Sequence, residues 1–137
     1  MLFAKRLFRI AGIYGLAVLL PQFFLEERFN RDFPPVITHP EYFYGFVGVA
    51  AAWQAAFLIV ARDPVRYRLI MIPGILEKAA FGVAAVALYV QGRVTGTMLA
   101  FGIVDLAWAA LFAVAFQLVG AETVKNRERR VTTNQFL

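Results

Sequence analysis

The chain has 137 residues, 61% of them hydrophobic and only 17% charged, with a formal charge of +5. A soluble domain carries about 25% charged residues, and a chain this short cannot bury so much apolar surface in a compact core, so a bilayer is its natural solvent. The absence of cysteine and the single histidine, His39, exclude disulfide frameworks, thiolate chemistry and multi-histidine metal or haem centres, and no residue pattern calls for a metal or cofactor.

The N-terminal segment places Lys5, Arg6 and Arg9 before an apolar run, as a secretory leader does. The run ends in Leu20-Pro21-Gln22-Phe23-Phe24, bulky where a cleavage site needs small residues, so it reads as a retained first span over 7–25. A polar loop follows over 26–41, with charges at Glu26, Glu27, Arg28, Arg31 and Asp32 and prolines at 34, 35 and 40. Further apolar stretches over 42–61, 67–90 and 95–119 each have the roughly 20 residues that a spanning helix needs. Their runs are continuous rather than alternating, which rules out barrel strands. Arg62-Asp63-Pro64 closes the second span, with Pro64 suited to the first turn of the next helix, and Gln91-Gly92-Arg93 is a tight turn. The stretch 122–137 is a polar tail expected to fray.

The expected fold is therefore all-α: one domain over 1–137, a four-transmembrane-helix antiparallel bundle. Lys and Arg gather in cytoplasmic loops. With the N-terminus inside, ten of them (Lys5, Arg6, Arg9, Arg62, Arg66, Arg68, Lys125, Arg127, Arg129 and Arg130) fall on the cytoplasmic side, against Arg28, Arg31 and Arg93 outside. Both termini are thus expected to be cytoplasmic. The tail cations Lys125, Arg127, Arg129 and Arg130 follow a span directly, so contact with anionic lipid is expected there and nucleic-acid binding is not.

Small residues at four-residue spacing let helices approach closely in lipid. Such stripes comprise Ala11 and Gly15; Gly48, Ala52 and Ala56; Gly74 and Gly82; Gly96 and Ala100; and Ala109 and Ala113. They predict helix–helix contacts, within the bundle or with a partner subunit or second copy. Phe23, Phe24, Phe29, Phe33, Tyr42, Phe43 and Tyr44 on one side, and Phe3, Phe8 and Tyr67 on the other, read as interfacial aromatic belts.

Three ionisable residues lie deep in the spans, Glu77 and Lys78 in the third and Asp105 in the fourth. Each costs a few kcal/mol or more at the bilayer centre unless paired or hydrated. At ~1.5 Å rise per residue, Lys78 and Asp105 on adjacent antiparallel helices fall at one level, so an ion pair between them is predicted. Glu77 is turned ~100° away and must find another partner or stay protonated. With Trp53 and Gln54 of the second span and Tyr14 of the first, these residues form a predicted intramembrane polar layer, a ligand or proton site or a cluster that fixes helix register. Pro73, four residues before Glu77, is expected to kink the third span and open room beside the layer. A second candidate lies outside the membrane, where His39 and Glu41 flank Pro40: an acid–base pair, or the cap of the second span.

The segments His39-Pro40-Glu41-Tyr42-Phe43-Tyr44-Gly45-Phe46 and Ile75-Leu76-Glu77-Lys78-Ala79-Ala80-Phe81-Gly82 resemble those of small uncharacterised four-helix bacterial membrane proteins, DoxX-like in size and topology. The resemblance implies a bacterial inner membrane. DoxX proteins proper are linked to oxidoreductase partners, and this chain carries no redox motif of its own.

The leading expectation is a non-enzymatic membrane protein, either an accessory subunit of a membrane complex or a binder of a small lipophilic ligand. The alternatives are a small proton-coupled transporter using Glu77 and Asp105, and a membrane-embedded lipid isomerase with Glu77, Asp105 and His39 as acid and base. A cavity open to lipid at the Glu77–Asp105 level favours a binder or isomerase, a water path to both faces favours transport, and a tight bundle favours an accessory role.

Overall fold

The computed structural model describes residues 1–33 and 35–134, without the side chains of Arg127, Arg129, Arg130, Val131, Thr133 and Asn134. The described residues form helices and turns and contain no strand. Helix α1 spans Leu2–Leu19 and runs on as a 3-10 segment, Leu20–Phe24. Short helix α2 spans Glu26–Asp32, α3 Pro40–Arg62, α4 Met71–Val90 after a 3-10 turn at Arg68–Ile70, and α5 Gly96–Asn134. Four helices, α1, α3, α4 and α5, are long and apolar enough to cross a membrane.

Local chemistry sets the helix limits. Pro40 opens α3 at a position whose N–H needs no partner, with Glu41 beside the positive helix end. After α3, Asp63 accepts a hydrogen bond from the Arg66 N–H at 3.1 Å, and the buried Pro64 starts a turn rather than the next helix. Pro73 lies in the first turn of α4, where its missing N–H leaves no interior bond broken. At the other end of α4, Gly92 takes φ +70°, and the Arg93 N–H reaches the Leu88 carbonyl at 2.9 Å, a Schellman closure.

The four spans pack as two pairs, α1 against α3 and α4 against α5. Glycine sets how closely each pair can approach. A Cβ at Gly15 would meet the Gln54 side chain, and one at Gly82 would lie 2.5 Å from Leu106 and 2.8 Å from the Gly102 carbonyl. Not every predicted stripe serves packing, since Gly48 and Gly96 face open space.

The pairs join at the end that carries the N-terminus. Phe8 of α1 stacks on Phe112 of α5 at 4.2 Å, and Phe57 of α3 meets Phe112 edge-on at 4.9 Å. These rings and Met71 of α4 are fully buried, so each spanning helix contributes one side chain to a solid plug. Phe8, expected in an interfacial belt, is core instead. Nearer the membrane edge, Arg68 donates to the Phe116 carbonyl at 3.0 Å, lies 3.8 Å over its ring, and fits where Gly120 has no side chain. The Met1 amine pairs with Glu122 at 2.9 Å.

Candidate functional site: a lidded cavity with a charged floor

Beyond the plug the two pairs diverge and enclose a cavity of about 1120 Å³. Its walls come from all four spans: Tyr14 and Val18 of α1, Phe46 and Trp53 of α3, Leu76 and Phe81 of α4, Phe101 and Val104 of α5. Glu77, Lys78 and Asp105 lie at its deep end, with Lys78 Nζ 5.8 Å from the Phe57 ring of the plug. The cavity is therefore apolar along its length and charged at its closed end. Several wall residues are exposed, among them Phe46, Leu76, Phe101 and Val104.

Lys78 donates a hydrogen bond to Asp105 Oδ2 at 3.4 Å, so the expected pair joins α4 to α5. Glu77 does not stand apart from it, because Glu77 Oε2 lies 3.4 Å from the same ammonium. A lysine has a flexible four-carbon stem, and here it bends back to the carboxylate one position before it. The contact remains an ion pair only, and Glu77 Oε2 is buried without a hydrogen bond. The three side chains are 9% (Lys78), 19% (Glu77) and 18% (Asp105) exposed.

The other predicted members of the layer separate. Trp53 and Tyr14 line the cavity, and the Tyr14 ring lies 6.2 Å from Trp108. Gln54 does not line it. It is buried between α1 and α3 against Gly15, donates to the Ala50 carbonyl at 3.0 Å, and leaves its Oε1 without a partner.

The segment read as a polar loop forms a lid. Phe29 of α2 packs at 5.4 Å against both Phe33, which ends that helix one turn on, and Phe43 of α3, and all three rings line the cavity. Ile37 joins them, its N–H bonded to Asn30 Oδ1 at 2.6 Å. The Tyr44 hydroxyl donates to Glu26 at 2.6 Å, and its ring stacks on Phe23, which ties the lid to α3. The outer face of α2 is charged. Arg31 and Arg28 hold the Asp32 carboxyl below its usual range by hydrogen bonding. Phe29, Phe33 and Phe43 are thus lid residues rather than a lipid-facing belt, whereas Phe24 and Tyr42 are exposed as a belt requires.

His39 and Glu41 meet at 3.0 Å, but both are about two-thirds exposed and neither lines the cavity. His39 stands at the cap position of α3 without a capping side-chain hydrogen bond. Among the described residues no group of acidic or histidine side chains could hold a metal. In the tail, Lys125 is exposed, and the side chains of Arg127, Arg129 and Arg130 lie outside the described residues.

Compared with known proteins, the chain matches no family model, and no curated protein or solved structure is detectably similar.

Proposed function

We propose that this protein binds a small lipophilic molecule within the membrane, its polar group on Glu77, Lys78 and Asp105 and its apolar body between the diverging helix pairs. The observation that carries the reading is the coincidence of the buried charges with the closed end of a large apolar cavity. Ligand sites are concave and mostly apolar, with a few polar groups that fix orientation. A cluster that only held helix register would need no cavity beside it. The Phe8–Phe57–Phe112 plug blocks one end, which favours a binder over a transporter with a path to both faces.

The bias of Lys and Arg supports an orientation with the plugged end and both termini in the cytoplasm and the lid outside, and the DoxX-like resemblance suggests a bacterial inner membrane. The exposed Lys125 and the cations after it then face anionic lipid. Single cysteines at Arg62 and Arg93 in this cysteine-free chain test the orientation. A membrane-impermeant maleimide applied from outside should label only the second.

Ligand linkage tests the binding itself, because a molecule that binds only the folded state raises its stability. Ala80 lines the cavity one turn from Glu77 and is exposed, so Ala80→Trp should obstruct the space beside the charged floor without disturbing the plug. After delipidation, adding back a total lipid extract of the host membrane should raise the Tm of the wild type and leave that of Ala80→Trp unmoved. Equal shifts in both would remove the cavity from the explanation.

A further inference from the structure

We infer that the molecule seated in this cavity is a lipophilic organic cation, an apolar body bearing one positive charge that rests against Glu77. The inference builds on the binding role proposed above and names the chemical class of the ligand.

The charge balance of the floor carries it. Two carboxylates, Glu77 and Asp105, face one ammonium, Lys78, so the ionised site has one negative charge in excess. Among the described residues, no other element supplies a cation to the cavity wall. The α1 and α3 walls offer Tyr14 and Trp53, and the nearby Gln54 is neutral. In the lid, Arg28 and Arg31 are 66% and 75% exposed and paired to Asp32 on the outer face. Lys78 Nζ lies 3.4 Å from each carboxylate, so one ammonium is shared between two at the cavity floor. An unbalanced carboxylate in an apolar surround must take up a proton or a cation.

The walls select the kind of cation. Trp53, Phe81, Phe101 and Tyr14 line the space next to the floor, and aromatic faces attract cations through their quadrupole. A small metal ion would need a fuller shell of oxygen ligands than two carboxylates give. A bulky organic cation sheds water readily and uses both the carboxylate and the rings. An anion would meet the excess negative charge, with Lys78 already held by two carboxylates.

Tetraphenylphosphonium and tetraphenylborate, a cation and an anion of one shape, test this in lipid nanodiscs. Trp108→Phe leaves Trp53 in the cavity wall as the sole reporter, since the chain has two tryptophans. Saturable quenching, corrected with empty nanodiscs, should show the cation binding at least ten-fold tighter than the anion. Glu77→Gln, which leaves the Lys78–Asp105 pair intact, should weaken the cation at least ten-fold and spare the anion. Equal affinity for the two ions in the unaltered site, or cation binding indifferent to Glu77→Gln, overturns the assignment while leaving the cavity a binding site. The absence of saturable binding by either ion overturns the binding role itself. The comparison between ions requires no change at Glu77, so the result does not hang on whether that variant folds.

Discussion

At the scale of single residues, Lys78 decides the behaviour of the site. Among the described residues it is the only cation lining the cavity, and it lies 3.4 Å from two carboxylates, one from its own helix and one from α5. Removing one partner of a buried charge cluster costs ~3–5 kcal/mol, because the remaining charges lose compensation. Lys78→Met should therefore lower stability by about that amount, with Glu77 and Asp105 left facing each other. Asp105→Asn should cost less, since Glu77 still balances the ammonium. Unfolding of both variants in a mild detergent checks the order, and equal stability would mean the charges are hydrated rather than coupled. The Lys78–Asp105 level was legible from sequence because helix rise alone fixes depth. The recruitment of Glu77 was not, because it depends on how the flexible lysine stem bends.

At the scale of elements, glycine position separates contact faces from open ones. Gly82 lies where α4 meets α5, and any side chain there would press on Leu106 and the Gly102 carbonyl. Gly48 on α3 faces open space. Gly82→Val should push α4 from α5 and destabilise by ~1–3 kcal/mol or more, as overpacking does. Gly48→Val should fall within about 0.5 kcal/mol of wild type, the range of substitutions away from packed features. Comparable losses in the two would show that the Gly48 face is covered by a partner. Both glycines occupy small-residue stripes, and a stripe does not reveal which helix it faces. The lid was hidden for a related reason. Its charges and prolines mark a break between spans, yet Phe29 on α2 and Phe33 just past its end stand one turn apart, the Phe33 N–H bonded to the Phe29 carbonyl, and both line the cavity. The tail expected to fray continues α5 to Asn134, since a long helix already nucleated adds helix-forming Glu, Lys and Arg residues at little further penalty.

At the scale of the molecule, the cavity arises from an uneven distribution of bulk. Phe8, Phe57, Phe112 and Met71 fill the end near the N-terminus, while glycines hold each helix pair tight along its length. The pairs therefore meet at one end and leave a gap at the other. Four spans and their antiparallel order follow from hydropathy alone. The gap does not, because it depends on which faces the two pairs turn toward each other. Pro73 was the sequence feature expected to make room, and it lies in the first turn of α4 and lines the cavity.

Native mass spectrometry of the protein, extracted from its membrane within a native nanodisc, tests the central claim most directly. One small molecule should be retained per chain beyond the bulk lipid, and lost in Ala80→Trp. A chain that releases bare, or that keeps the same adducts in both forms, would contradict that claim.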